Sequence, residues 1–360
     1  METKHNICYN LCTMFGDVKM NKSIFDRSKE QIESKINEIL DKEIEKYKDN
    51  EFIKESLKEL KRLSSGGKRV RGYLVKLGSM LFGKDDDSYI DLATALEIFQ
   101  TAILIHDDII DEADKRRGMD TINAKYKGHI GISKAICIGD LGFFISYRII
   151  NNANISKELK DEIIKVYSKT LHNTVNGEIV DVELPLKSIN YHKNMSDKII
   201  YDIYVNKTAW YTIIGPILIG AASAGAKEDD KQKLIEMGTN LGIAFQIKDD
   251  LLGLYSNVND MGKTLNDIKE GKQTIIYKYA IDHASDNDLK VIEKYYGNPL
   301  VTSDGNKAIT ELFERLGARK YAEDLVAKYT DKGISIINDM NVEHKKEFIE
   351  FANYLLNREK

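Results

Sequence analysis

The stretch DLATALEIFQTAILIHDDIID, residues 91–111, determines the fold around which the rest of the chain is built. Most of it is apolar on nearly every side, which is typical of a helix buried in the centre of a helical protein. It ends in three carboxylates, and in a helix Asp107 and Asp111 lie on one face with Asp108 about 100° around the axis. Neighbouring carboxylates on a buried helix are costly unless a cation neutralises them. This stretch therefore predicts a central helix that ends in a cation site.

A second stretch, AFQIKDDLLG at residues 244–253, repeats this design, because Asp249 and Asp250 also follow an apolar helical run. Magnesium prefers carboxylate oxygens and usually completes its coordination shell with water and substrate phosphates. Two such clusters predict that metal ions hold a diphosphate between them. The chain is therefore interpreted as a metal-dependent enzyme.

Composition sets bounds on the class of protein. The 360 residues are 42% hydrophobic and 31% charged, which indicates a globular chain, and the net charge of -4 argues against a nucleic-acid partner. The three cysteines, Cys8, Cys12 and Cys137, have no framework spacing and are expected to be plain thiols in a reducing compartment. No apolar run reaches the roughly 18 residues that span a bilayer, and no signal-peptide pattern is present. We expect no transmembrane segment and a cytoplasmic location.

The spacing of apolar residues predicts an all-α protein. Only three prolines occur, and helix-period sequence fills the intervals between them. Residues 1–21 form an N-terminal extension in this interpretation, and 22–360 form the folded domain, which begins with an amphipathic helix over 22–48. Further helices are predicted over 207–225, through Gly215 and Pro216, and over 234–255.

Two basic motifs are candidates for binding a second anion. SGGKRVRG at residues 65–72 combines a glycine turn with three cations, and a helix start there adds free backbone amides. Arg116 and Arg117 follow the first acidic cluster. A single guanidinium group can bind two diphosphate oxygens at once. For each motif the alternative is a group of solvated surface charges.

Taken in this order, the motifs resemble those of the all-trans isoprenyl diphosphate synthases, the polyprenyl synthetase family, from about residue 22 to the C-terminus. The resemblance rests on GGKRVR at 66–71, DDIID at 107–111, RRG at 116–118, Lys207-Thr208, Phe245-Gln246 before Asp249-Asp250, Gly262-Lys263 and GKQT at 271–274. DIKEGK at 267–272 is similar to archaeal-type geranylgeranyl diphosphate synthases. The resemblance implies the isoprenoid synthase fold, a single-domain bundle of long, mostly antiparallel helices around a central apolar tunnel.

The resemblance also implies roles for individual residues. Magnesium ions, three with substrate bound, would be held by Asp107, Asp111 and Asp249, with Asp108 and Asp250 as ligands or as partners of the ligands. The residues implied to bind isopentenyl diphosphate are Lys68, Arg71, Gln100 and Arg117. Those implied to bind the allylic diphosphate are Arg116, Lys207, Lys263 and Lys272. The Lys207 carbonyl, the Thr208 hydroxyl and the Gln246 side-chain oxygen would face the allylic cation.

The implied reaction is ionisation of an allylic diphosphate, either dimethylallyl, geranyl or farnesyl, followed by attack of isopentenyl diphosphate and loss of a proton. In this family, aromatic residues four or five positions before the first aspartate block the tunnel early. Here those positions are Ile103 and Ala102, so the tunnel is expected to continue toward Phe99. We expect geranylgeranyl diphosphate as the product, with longer chains as the alternative. Phe99 could instead belong to the ordinary core.

The family's pattern is not matched at every position. Many members carry a third aspartate in the second cluster where this chain has Gly253, and we interpret that change as a mark of the subgroup. A terpene cyclase would use similar aspartates, but it has no second diphosphate for the GGKRVR motif to hold. A non-catalytic partner subunit would characteristically lack the aspartates. The family also implies a homodimer.

The acidic cluster at 107–111 leads to a first prediction. Asp107→Ala removes a predicted metal ligand, so it is expected to abolish condensation while the fold stays intact. Turnover assays with magnesium, combined with circular dichroism of the same sample, check this. Full activity of the folded variant would contradict the metal assignment.

Overall fold

The computed structural model describes residues 22–255 and 266–356, where α-helices dominate. The predicted extension 1–21 lies outside the described residues, as does Lys263. The α-helices are α1 (Lys22–Lys46), α2 (Glu51–Ser64), α3 (Val70–Leu81), α4 (Ile90–Ile110), α5 (Ile122–Tyr126), α6 (Gly128–Asn152), α7 (Lys157–Glu183), α8 (Ile189–Asn194), α9 (Lys198–Ile203), α10 (Gly215–Ser223), α11 (Glu228–Tyr255), α12 (Asn266–Glu270), α13 (Ile275–His283), α14 (Asp286–Tyr295), α15 (Ser303–Arg315), α16 (Ala318–Asp339) and α17 (Lys345–Leu356). Short 3₁₀ turns span Asp87–Tyr89 and Leu184–Leu186.

Helix α4 lies at the centre, as its sequence predicts. Its residues from Leu92 to Phe99 are all at most 2% exposed, and α4 packs against α3 and α6. The buried Glu97 accepts a hydrogen bond of 2.8 Å from the backbone N–H of Gly72. It also forms an ion pair of 3.4 Å with Arg69. The apolar helix is therefore anchored to the start of α3 by one fully enclosed carboxylate.

Glycines allow α3 and α10 to cross almost in backbone contact. A Cβ at Gly78 would collide with the carbonyl oxygen of Ile217, and a Cβ at Gly220 would collide with that of Val75. Because the clashing atoms belong to the backbone, they cannot move aside as a flexible side chain could. This crossing brings the basic motif at the start of α3 next to the segment that precedes α10.

The segment before α10 corrects one prediction. Residues 207–225 were expected to form one continuous helix, but Tyr204–Ile214 is a π-helix and α10 begins only at Gly215. Pro216 lacks an N–H, and within an α-helix its ring would press on the carbonyl four residues earlier. The wider turn relieves this, and Gly215 donates to the carbonyl of Trp210, five residues earlier. Such segments occur frequently at functional sites.

Two other helix limits differ from expectation. Helix α11 begins at Glu228 rather than at residue 234, because three acidic residues in its first turn favour the positive end of the helix dipole. Helix α1 ends at Lys46 rather than at residue 48.

An unpredicted hairpin follows α4. Strands β1 (Lys115–Arg116) and β2 (Met119–Asp120) are antiparallel, and the two residues between them, Arg117 and Gly118, have φ of 52° and 76°. Positive φ at both central residues is the geometry of a tight turn that matches the strand twist. The turn folds Arg116 back toward the end of α4.

Two helical segments are long and apolar enough to cross a membrane by length and composition alone. They are Asp87–Ile110 and Gly128–Asn152, with 67% and 39% of their most apolar windows buried in the protein. This is weak evidence, since a central helix such as α4 meets the same criteria in a globular protein. The expected absence of a transmembrane segment stays a prediction.

Candidate active site

The first acidic cluster lies where α4 ends. The guanidinium of Arg116 donates to Asp108 at 2.6 Å and to Asp107 at 2.9 Å. Asp108 is almost fully buried, whereas the side chain of Asp107 is 22% exposed. The β-hairpin thus places one predicted diphosphate ligand directly on two predicted metal ligands.

Burial changes the protonation of this cluster. It raises the pKa of Asp108 to about 6, against the opposing effect of Arg116. Burial and the negative charge of Asp107 raise the pKa of Asp111 to about 6, while Lys272 and Lys207 act in the opposite direction. Because burial and neighbouring negative charge both disfavour the ionised carboxylates, an additional cation would stabilise those ionised forms.

Two lysines approach the acidic cluster from other helices. Lys207, in the π-helix, forms ion pairs of 2.8 Å with Glu178 and 2.6 Å with Asp181 on α7. Burial alone would lower the pKa of Lys207, but those two carboxylates raise it, so the lysine is charged. Gly177 on α7 makes this approach possible, because a Cβ there would collide with the backbone of Lys207.

Lys272 connects the two halves of the site. It forms an ion pair of 3.2 Å with Glu270. Burial would lower its pKa, but the carboxylates of Asp267, Glu270 and Asp111 raise it well above the ordinary value. The charge of Lys272 lowers the pKa of both Asp111 and Asp250, so this lysine acts electrostatically on both acidic clusters.

The second cluster has one inward and one outward carboxylate. Asp250 is 4% exposed and accepts hydrogen bonds from Gln246, at 2.8 Å, and from Tyr204. Burial raises the pKa of Asp250 to about 7 despite these donors. Asp249 is half-buried at the rim of the site. Thr208, across from α11, donates to the side-chain oxygen of Gln246 at 2.5 Å, so two predicted catalytic side chains are in direct contact.

A group of arginines lies beside the first acidic cluster. Arg71 donates to the Thr212 hydroxyl at 2.8 Å, and its guanidinium lies 3.7 Å from the ring centre of Tyr211. The Nε atom of Arg71 is buried without a hydrogen-bond partner. Partial burial, followed by the positive charges of Arg69, Arg116 and Arg71, lowers the pKa of Arg117. A group of cations this crowded is suited to a polyanion.

The remaining residues of the basic motif divide into two classes. Arg69 faces inward, is 2% exposed and forms ion pairs with Glu33 and Glu97, so its role is structural. Lys68 is exposed, and Gln100 is half-buried on α4. Their predicted role in binding isopentenyl diphosphate stays a prediction.

The predicted chain-length residues point in different directions. Phe99 is buried among the rings of Phe143, Tyr167 and Tyr211, with centroids 5.5–5.8 Å away. Ala102 is fully buried and faces Gly142 on α6, where an added Cβ would lie 2.9 Å from that of Ala102. Ile103 is half-buried. The apolar tunnel along this helix stays a prediction.

The space beside Gly253 holds a carboxylate from elsewhere in the chain. A Cβ at Gly253 would collide with the carboxylate of Asp267, on α12. Asp267 is also close enough to raise the pKa of Asp250 and of Lys272. The second cluster therefore has a third acidic group although its motif lacks the third aspartate.

The carboxylates of this site are suited to magnesium ions that they share with a bound substrate. Within the described residues, no group of three or more His, Cys, Asp or Glu side chains converges as a complete metal cage. Magnesium is usually bound through one or two carboxylates together with substrate phosphates. The separate pairs of carboxylates match that mode of binding better than a site built only from protein ligands.

Sequence reasoning missed several residues of the site. Tyr204, Tyr211 and Thr212 belong to an apolar helical run and have no distinguishing spacing. Glu178 and Asp181 resemble a family segment, but a helix surface accounts equally well for their pattern. Their contact with Lys207 depends on the π-helix, which the sequence did not predict.

A family model described as polyprenyl synthetase matches residues 51–313. The chain belongs to the polyprenyl synthetase family. It is thus a prenyltransferase, and the family and all-α fold predicted from the motifs are confirmed.

Relatives and solved structures of the family match over most of the chain. Geranylgeranyl diphosphate synthase of Sulfolobus acidocaldarius is 29% identical over 322 residues, which cover 89% of this chain and 93% of that protein. Octaprenyl diphosphate synthase of Escherichia coli is 26% identical, covering 76% and 80%. The crystal structure of geranylgeranyl pyrophosphate synthase from Corynebacterium glutamicum, complexed with isoprenyl diphosphate and magnesium, has a TM-score of 0.85 at 26% identity and covers 93% and 99%.

The raised pKa values predict a pH dependence of metal binding. Folding raises the pKa of Asp108 and Asp111 to about 6, so the stability that their protonation contributes is lost as the pH rises through about 6. Magnesium binds the ionised forms, so each carboxyl group that must lose its proton should raise the magnesium affinity by up to about tenfold per pH unit between pH 5 and 6, and the increase should level off above that range. The shift in unfolding temperature on adding magnesium at pH 5, 6 and 7 measures this. Asp111→Asn should reduce the slope, and an equal shift at every pH would contradict it.

Proposed function

We propose that the protein is a chain-elongating all-trans prenyltransferase that condenses isopentenyl diphosphate with an allylic diphosphate, with geranylgeranyl diphosphate as the product. The observation that supports this is that two separate groups of cations surround one site, each suited to one diphosphate. One combines the acidic clusters with Lys207 and Lys272, and the other is the arginine group around Arg71 and Arg117. A terpene cyclase needs only the first.

The allylic substrate would bind at the acidic side. Magnesium, three ions in the full complex, would be held by Asp107, Asp111 and Asp249 and would supply positive charge to the diphosphate as its bond to carbon breaks. Magnesium in the Corynebacterium glutamicum structure supports this proposal. Arg116, Lys207 and Lys272 add fixed cations beside the same carboxylates, and Lys263, outside the described residues, is proposed to do so as well.

The reaction then proceeds by charge separation. The allylic carbon–oxygen bond breaks, its electron pair leaves with the diphosphate, and a cation forms beside Thr208 and Gln246. Oxygen atoms of these side chains stabilise positive charge without reacting with it. The double bond of isopentenyl diphosphate attacks the cation, and the proton that is lost passes to the departed diphosphate. Closure that excludes water is expected, because water would trap the cation.

The product length rests on the side chains along α4. Ile103 is half-buried and is smaller than the aromatic ring that would stop a growing chain there, whereas Ala102 packs against Gly142 on α6 and has no space beside it. The Sulfolobus acidocaldarius relative supports a geranylgeranyl product, whereas the octaprenyl synthase of Escherichia coli represents the longer-chain alternative.

Incubation with magnesium, labelled isopentenyl diphosphate and each allylic starter, followed by chromatography of the dephosphorylated products, tests the function. The wild type should give mainly the geranylgeranyl product, and absence of elongation would refute the proposal. Ile103→Phe should shorten the main product by at least one isoprene unit, because the larger ring narrows the path. Ile103→Leu, which conserves volume, serves as the control and should keep the wild-type length. Unchanged products in the Phe variant would show that the tail follows another path.

We also propose that two copies of the chain form a homodimer. Most of the exposed large apolar side chains lie on α6 and α7, among them Ile132, Phe144 and Tyr147 on α6 and Val175 and Ile179 on α7. Exposed large apolar side chains concentrated on two neighbouring helices favour an interaction surface there. A second copy of the chain would cover this apolar surface, with the same surface of each copy forming the interface.

A charge on this surface tests the dimer. Phe144 is 73% exposed, so Phe144→Glu should leave the fold intact and shift the protein toward monomer in sedimentation velocity. Leu300 is 86% exposed and lies between α14 and α15, which pack mainly against each other and against α13 and α16, so Leu300→Glu is the matched control and should keep the wild-type mass. A wild-type monomer, or a Phe144→Glu dimer as stable as the control, would exclude this surface.

A further inference from the structure

A continuous chain of hydrogen bonds runs from the start of α13 to Gln246 and Thr208, the side chains that are predicted to face the allylic cation. The backbone N–H of Ile275 donates to the Tyr204 hydroxyl at 2.9 Å, and that hydroxyl donates to Asp250. Asp250 accepts from the Gln246 amide at 2.8 Å, and Thr208 donates to the Gln246 oxygen at 2.5 Å. The chain thus links three segments: the π-helix, α11 and the residues that follow Lys272.

When Asp250 is ionised, each bond in this chain has only one possible direction. A backbone N–H can only donate, so the Tyr204 hydroxyl accepts from Ile275 and directs its single proton to Asp250. An ionised carboxylate can only accept, so the nitrogen of the Gln246 amide must face Asp250. The Gln246 oxygen is then turned toward Thr208. Because Thr208 donates its proton to that oxygen, it can present only lone pairs to a cation.

We propose that Tyr204 is a positioning residue that acts through Asp250 to keep the oxygens of Gln246 and Thr208 directed at the allylic cation. This inference rests on the proposed condensation reaction. It assigns Asp250 a role in orienting Gln246, since each of its two carboxylate oxygens already accepts a hydrogen bond inside the protein. A reversed Gln246 amide would present N–H groups to the cation, which is electrostatically unfavourable.

Burial makes this orientation rigid. Tyr204 is 3% exposed and Asp250 4% exposed, so water cannot replace a lost partner at low cost. The ring of Tyr204 packs in the cluster that includes Ile243, Ile247 and Ile276, which holds the hydroxyl in place. Without that hydroxyl the carboxylate can rotate, and it then no longer fixes Gln246.

Tyr204→Phe removes the hydroxyl and keeps the ring. We expect kcat to fall about tenfold while KM for both substrates stays within about twofold, because the groups that bind the diphosphates are unchanged. In a Gln246→Ala background the same substitution should cause no further loss of kcat, since its effect passes through Gln246. Tyr201, one turn earlier, has its hydroxyl near Tyr329 and Tyr321, so Tyr201→Phe is the matched control and should keep the wild-type kcat.

Asp250→Asn provides an independent test if Tyr204→Phe does not fold. The asparagine can accept from Tyr204 with its oxygen, but it then presents an NH₂ group to Gln246 and reverses that amide, so kcat should again fall about tenfold. Activity-independent evidence comes from thermal unfolding, where the shifts caused by Tyr204→Phe and Asp250→Asn should not be additive.

The outcomes separate this inference from the proposed function. If the wild type elongates no allylic starter, the proposed function fails and this inference fails with it. If the wild type is active, three results overturn the inference alone: a folded Tyr204→Phe or Asp250→Asn variant with wild-type kcat, an equal loss of kcat in the Tyr201→Phe control, or a loss that persists undiminished in the Gln246→Ala background.

Discussion

The structure depends on the cost of burying carboxylates near the ends of α4 and α11. Placing Asp108, Asp111 and Asp250 away from water raises the pKa of each, so the protein must bring cations from distant segments to neutralise them. Arg116 arrives on a hairpin, Lys207 in a π-helix and Lys272 after α12. Ion pairs thus join segments from different parts of the chain around the acidic clusters, in addition to the apolar packing of the helices.

The backbone irregularities occur where these cations are delivered. The π-helix follows from Pro216 and brings Lys207 against α7, where Gly177 leaves room for it. The tight hairpin turn at Arg117 and Gly118 returns Arg116 to α4. Regular helices alone could form the apolar core, but they would not bring Arg116, Lys207 and Lys272 close to the acidic residues. The local departures from regular structure thus serve the site rather than the core.

The sequence predicts the central helix, the all-α fold and the two acidic clusters, because apolar periodicity and adjacent carboxylates are local features. It could not predict the contacts of Lys207 with α7, since they depend on a π-helix that no local pattern distinguishes from an α-helix. It also could not place Tyr204, whose function arises from three segments that meet only in the folded chain. The positions of the motifs are therefore accessible from the sequence, whereas the groups that pack around those motifs are not.

The second acidic cluster shows how a motif can change while its chemistry is kept. Judged by sequence alone, Gly253 deletes one carboxylate from the site. In the folded chain, the side chain of Asp267 fills the space that a residue at 253 would occupy, and it acts on the pKa of both Asp250 and Lys272. A carboxylate at 253 would collide with this group and bring a further negative charge into a site that already has an excess of them. Glycine at 253 therefore leaves the carboxylate of Asp267 in place, and the acidic character of this wall does not depend on a carboxylate at position 253.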